Sequence, residues 1–115
     1  QESNLLSRIL QFINENYTGK ITVRAIAEAC HCSASSVTHV FKKNMGMNIH
    51  AYANRIRIEK AQYYLRNTDA NVTEIGALLG FDDPNYFTKV FSDIRGVSPK
   101  TYRRNVASIG GNGHR

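Results

Sequence analysis

Ser35, Thr38 and His39 recur fifty residues later in the chain as Asn85, Thr88 and Lys89. Each trio has the spacing i, i+3, i+4, which gathers three side chains on one side of a helix. All six carry hydrogen-bonding groups and none is an acid. A set of this kind can meet the edges of nucleic-acid bases. Asn offers a donor and an acceptor that match adenine, Lys donates to guanine O6 and N7, and Thr meets either a polar edge or a thymine methyl. Small polar residues on an outer helix face are simply solvated in most proteins, so the weight of the observation lies in its occurring twice in equivalent settings.

Those settings form an internal repeat. Residues 37 to 52 align with residues 87 to 102 at a constant offset of 50, and Thr38, Val40, Phe41, Gly46 and Tyr52 meet identical residues. Upstream the offset is 49, with Val23 and Ile26 falling on Val72 and Ile75, so the second copy carries one extra residue between its halves. A repeat uses one structural device twice. Here the device is a helix, a sharp turn and a second helix.

The elements that position the trios follow from periodicity and punctuation. Leu6, Ile9, Leu10, Phe12 and Ile13 have helical spacing over residues 3 to 17, which predicts an amphipathic first helix. Thr22 is placed to cap a short helix over about residues 23 to 30, followed by the turn His31-Cys32. Ser33 caps a third helix that buries Val37, Val40 and Phe41 and stops at Gly46. Asn48 caps a longer helix over residues 49 to 67, with Ile49, Tyr52, Ala53, Ile56, Ala61, Tyr64 and Leu65 mostly on one side. Asn71 and Glu74 have capping-box spacing and open a helix with Ile75, Leu78 and Leu79 inward, ended by Gly80, with Phe81 plugging the turn. Asp83 and Pro84 start the next helix, which buries Phe87, Val90 and Phe91 and stops at Gly96; Ser98-Pro99 opens the last. The tail from Ser108 to Arg115, rich in Gly, is expected to be flexible. On a helical wheel, Ser35, His39 and Lys42 face outward with Thr38 on the flank, as do Asn85, Lys89 and Ser92 with Thr88 on the flank, and neither outward set contains an acid.

Composition narrows the partner. A formal net charge of +6 and a pI near 9.6 favour a polyanion. Nucleic acid is the first choice and an acidic membrane surface the second, although the same charge can serve solubility alone. No apolar run approaches a bilayer span and no secretory signal precedes the first helix, so a cytoplasmic protein without a membrane role is expected. Cys30 and Cys32, one residue apart, are too close for an unstrained disulfide. With His31, His39 and His50 they have none of the usual zinc spacings. They align with Leu79 and Phe81 in the second copy, which assigns both thiols to apolar core positions. No metal and no cofactor are expected. Nucleophile motifs, phosphate loops and paired carboxylates are missing, so an enzyme is not expected either. The remaining rival is a helical module that binds protein.

Geometry favours duplex DNA. In a helix-turn-helix the second helix enters the major groove while the first crosses the backbone. The 49–67 helix would be roughly 28 Å long, close to the spacing of about 34 Å between successive major-groove faces on one side of B-DNA. One chain could then present two reading helices to one duplex, and because the trios differ the site should be asymmetric. Ser36, Lys42, Lys43, Tyr86, Lys100, Arg103 and Arg104 are the expected phosphate contacts.

The run G-F-D-D-P-N-Y-F-T-K-V-F-S-D-I-R-G-V-S-P-K-T-Y-R, residues 80 to 103, resembles the signature of the AraC/XylS transcriptional regulators. R-I-E-K-A-Q-Y-Y-L, residues 57 to 65, is similar to their linker helix, and F-K-K-N-M-G, residues 41 to 46, to the end of their first reading helix. The resemblance covers about residues 5 to 104. It implies an all-α, homeodomain-like bacterial domain of about seven helices that binds double-stranded DNA to regulate transcription. Its subdomains would be residues 1–47 and 68–107, joined by the linker helix 48–67, with the tail 108–115 beyond. It also implies base-reading positions at Ser35, Thr38, His39, Asn85, Thr88 and Lys89. In most relatives such a domain is the C-terminal part of a longer regulator, so an effector or dimerisation domain outside this sequence is expected. RNA polymerase is a further expected partner, with no residues assigned to it.

Overall fold

The computed structural model describes residues 2–113, and among them every regular element is a helix. The order is α1 (Glu2–Asn16), α2 (Val23–Cys30), α3 (Ala34–Met45), α4 (Ile49–Asn67), α5 (Val72–Leu78), α6 (Pro84–Arg95) and α7 (Pro99–Gly113). The chain forms two compact units, Gln1–Ile56 and Arg57–Arg115. The boundary falls inside α4, so each unit takes one part of that helix into its own core.

In the first unit α1, α2 and α3 pack around Ile9, Ile13, Ile26, Val37 and Phe41, closed by Ile49, Ala53 and Ile56 of α4. Caps set the helix starts as their side-chain chemistry requires. Thr22 Oγ1 accepts from the Ala25 N–H at 3.0 Å, Ser33 Oγ from the Ser36 N–H at 3.1 Å, and Asn48 Oδ1 from the Ala51 N–H at 2.8 Å. Cys30 is buried and Cys32 packs half-buried against the same core, which places both thiols where the alignment put them.

The second unit repeats the plan. Asn71 and Glu74 form a full capping box, Asp83 caps α6 with Pro84 at its first turn, and Ser98 Oγ accepts from the Thr101 N–H. Ile58, Ala61 and Leu65 of α4 join Ile75, Leu79, Phe87 and Phe91 in its buried set. Repetition extends to ring geometry. Phe41 and Tyr52 meet edge-on with centroids 5.4 Å apart, and their counterparts Phe91 and Tyr102 do so at 5.6 Å.

The two turns are closed by the same pair of backbone bonds. Cys32 N–H donates to Ala27 O at 3.1 Å and His31 N–H to Glu28 O at 3.3 Å; Phe81 N–H donates to Gly76 O at 2.9 Å and Gly80 N–H to Ala77 O at 3.1 Å. This is the Schellman closure, which needs a left-handed residue after the helix. Gly80 supplies it at φ 98°, whereas the first copy uses His31 at φ 57°, a conformation less favourable for a residue with a Cβ. The extra residue of the second copy lies between Phe81 and the cap Asp83, so it lengthens the turn and leaves both helices in phase.

Three expectations need correction. Leu78 is not part of the inward stripe of α5 but is 55% exposed. The apolar residues of α4 do not form one stripe either. Ile58 is buried although it lies two positions after the buried Ile56, and residues two apart cannot share a helix face. The helix serves two cores, so its buried positions change side. Finally, α7 continues through Gly113, so residues 108–113 are helical in place of a flexible tail, and residues 114 and 115 lie outside the described residues.

Arg103 fastens α7 to the C-terminus of α4. Its Nε donates to Leu65 O at 3.1 Å and its Nη2 to Thr68 O at 3.0 Å. These are carbonyls that a helix end leaves without intrahelical partners, and a cation there also meets the negative end of the helix dipole. Arg103→Ala should lower stability by about 1–2 kcal/mol in chemical denaturation, since charge-assisted bonds are worth more than neutral ones but this site is partly wet. Arg103→Lys should recover only part of that, because an ammonium cannot present the guanidinium fork.

A second test concerns Gly76. A Cβ there would meet Phe87 Cδ2 at 2.7 Å and Cγ at 2.9 Å, and Phe87 is fully buried. The first copy has Ala27 and Val37 at the equivalent positions, a larger residue facing a smaller one. Gly76→Ala should therefore cost about 1–3 kcal/mol through overpacking. The double variant Gly76→Ala with Phe87→Val, which rebuilds the pair of the first copy, should lose clearly less than the sum of the two single changes.

Candidate nucleic-acid interface

Each unit presents the second helix of its pair with one side in the core and the other in solvent. On α3, Val37, Val40 and Phe41 are buried while Ser35, Thr38 and His39 are exposed. On α6, Phe87, Val90 and Phe91 are buried while Asn85, Thr88 and Lys89 are exposed. All six sequence-derived reading positions thus lie on free helix surface. The structure brings each trio together within its own unit. Ser35, Thr38 and His39 line one shallow depression, and Thr88 lines another with Ser98, Pro99 and Lys100.

The expected phosphate contacts divide into two groups. Ser36, Lys42, Lys43, Tyr86, Lys100 and Arg104 are exposed. Ser36 sits in the first turn of α3, where its hydroxyl accepts from Ser33 Oγ at 3.0 Å. Tyr86 occupies the first turn of α6 with its ring 6.0 Å from Phe81. Arg103 differs: its guanidinium is committed to the α4 carbonyls, which places it in the scaffold. Ser92 is half-buried and so less outward than the helical wheel suggested.

Neither outward set contains an acid, but acids outside them pair with two of the lysines. Asp93, exposed on α6, holds the Lys89 ammonium at 2.9 Å, and this bond together with the carboxylate charge pushes the Lys89 pKa upward. In the first unit Glu2 reaches Lys43 at 3.3 Å, and the hydrogen bond and charge of that ammonium lower the Glu2 carboxyl. The wheel missed Asp93 because it extended the reading face only to Ser92. An i, i+4 relation to Lys89 was the available signal. Glu2 had no such signal, since its partner lies 41 residues away.

Arg57 was also missed. It is buried on α4 with its guanidinium 5.7 Å from the centre of the Phe81 ring, and burial pushes its pKa down. Phe81 in turn lies 5.0 Å from Phe87. Arg57 therefore backs the residue that plugs the turn before α6, a cation–π contact of the kind that gains when desolvated.

Residues 26–105 match the family model of a helix-turn-helix domain. The transcriptional activator RhaR of Pectobacterium carotovorum is 32% identical over 108 residues, covering 94% of this chain and 38% of the activator. The chain thus spans between a quarter and a half of the length of such curated relatives. Among solved structures, the C-terminal domain of the two-component response regulator YesN from Fusobacterium nucleatum is 34% identical with a TM-score of 0.77, covering 83% of this chain and 93% of that one. The DNA-binding domain of the global transcriptional factor AdpA, solved with a target DNA, shares the fold at a TM-score of 0.86 and 22% identity, covering 94% of this chain and 97% of that one. Among the described residues no helix is long and apolar enough to cross a membrane. The paired helix-turn-helix units, the repeat and these matches together mean that the chain belongs to the AraC/XylS family of transcriptional regulators, as their helix-turn-helix domain.

Proposed function

We propose that this domain binds one asymmetric duplex DNA site, with α3 and α6 entering successive major grooves. The observation that carries the reading is the pair of exposed, chemically unlike trios on equivalent helices, Ser35, Thr38 and His39 against Asn85, Thr88 and Lys89. Asn85 is suited to adenine and Lys89 to guanine; Thr38 and Thr88 can take a thymine methyl. Ser35 and His39 offer shorter or weaker donors, so the first helix reads less sequence than the second. Ser36, Lys42, Lys43, Tyr86, Lys100 and Arg104 hold the phosphates, which fixes register without reading bases. Arg103 is omitted because its Nε and Nη2 are bonded to backbone carbonyls of the scaffold.

The domain would act as the DNA-binding part of a longer bacterial regulator in the cytoplasm. RNA polymerase is a partner at the promoter, and an effector or dimerisation domain governs occupancy. Catalysis has no place in this reading, since the sequence carries no nucleophile motif and no phosphate loop.

Selection of bound duplexes from a random pool tests the proposal. The recovered site should be asymmetric, with stronger preferences in the half read by α6. Asn85→Ala should relax one base position at a cost of about 1–3 kcal/mol. With about six phosphates neutralised, log affinity should fall against log salt with a slope near −5. A flat salt response, or a pool without any consensus, contradicts the proposal.

A further inference from the structure

Asp93 stands on the exposed ridge of α6 that runs Asn85, Lys89, Asp93 at four-residue spacing. The corresponding ridge of α3 runs Ser35, His39, Lys43. One scaffold position therefore carries opposite charges in the two copies. Helix stability does not account for the acid. It lies in the last turn, toward the negative end of the dipole, and the order Lys then Asp is the weaker orientation for an i, i+4 pair. Both partners are also largely exposed, with side chains 71% and 64% accessible for Lys89 and Asp93, so screening leaves the pair little value for folding. An acid on a surface meant for a polyanion would oppose binding unless it had a task there.

Resting on the DNA-reading function proposed above, we infer that Asp93 is a positioning residue that sets specificity by holding the Lys89 ammonium over the base edges and away from the phosphates. A free lysine is a flexible point charge that finds the nearest phosphate on any sequence. The 2.9 Å contact to Asp93 Oδ2 gathers that ammonium onto the helix ridge. There it meets guanine O6 and N7 across the groove. The carboxylate also repels phosphates on sequences that offer Lys89 no guanine, which lowers non-specific binding. The first copy, with Lys43 at this position, lacks the device on its own helix.

The test compares the selected duplex with a scrambled duplex of equal length for Asp93→Asn, Asp93→Glu, Lys89→Ala and the double variant Lys89→Ala with Asp93→Asn. In Asp93→Asn, binding to the scrambled duplex should rise about threefold to tenfold and its salt slope should steepen by about one unit, as one more phosphate is engaged. Preference at the base pair read by Lys89 should fall about fivefold or more. Asp93→Glu should stay within about twofold of the parent, and Asp93→Asn should not change preference further once Lys89 is Ala. If Asp93→Asn raises affinity for both duplexes equally with preference intact, Asp93 acts by net charge alone and the inference is wrong. It is equally wrong if Asp93→Glu behaves like Asp93→Asn, or if Lys89→Ala relaxes one position and Asp93→Asn changes nothing. Should neither Lys89→Ala nor Asn85→Ala alter any preference, reading by α6 itself fails, and the inference with it.

Discussion

Two backbone hydrogen bonds at each turn, from Cys32 and His31 in the first unit and from Phe81 and Gly80 in the second, set the direction in which the following helix leaves. They satisfy carbonyls that a helix end would otherwise leave without partners. A side chain then packs beneath each turn: half-buried Cys32 against the first core, and buried Phe81 against Phe87 and Arg57 in the second. With direction fixed at the turn and phase fixed by the N-caps Ser33 and Asp83, the surface that α3 and α6 present is determined before any exposed residue is chosen. The exposed residues are then free to differ.

They do differ, while one buried pair of the cores differs in a compensating way. Ala27 facing Val37 becomes Gly76 with Phe87 against it, so bulk lost on one helix is gained on the other. The ring pair Phe41–Tyr52 is kept as Phe91–Tyr102 with nearly the same geometry. On the outer faces no such balance holds. Ser35 becomes Asn85, His39 becomes Lys89 and Lys43 becomes Asp93. Packing constrains volume tightly, whereas a solvent-facing position is constrained only by what docks on it. That contrast separates scaffold from candidate site without appeal to any relative.

Much of this was legible in the sequence because capping is local. Thr22, Ser33, Asn48, Asn71, Asp83 and Ser98 announce helix starts by chemistry that acts within three residues, and the repeat shows the buried positions of the paired helices twice. What escaped was non-local. The burial of Ile58 depends on which of two cores a stretch of α4 serves, which no single helical stripe encodes, and the exposure of Leu78 follows from packing that periodicity alone does not give. Arg103 looks in sequence like any other base near a DNA face, and only the position of the α4 carbonyls reveals its task. Arg57 likewise reads as a surface charge until Phe81 is brought against it. Of the candidate site, the six proposed reading positions are visible from spacing, while the acids that pair with Lys89 and Lys43, Asp93 and Glu2, are not.

The central claim is that one chain carries two unequal readers of one duplex. A hydroxyl-radical footprint of a single chain on its selected duplex tests it most directly. Two protected patches about one helical turn apart, on one side of the duplex and unrelated by a dyad, are the result the account predicts. A single patch, or two patches related by perfect two-fold symmetry, would contradict it.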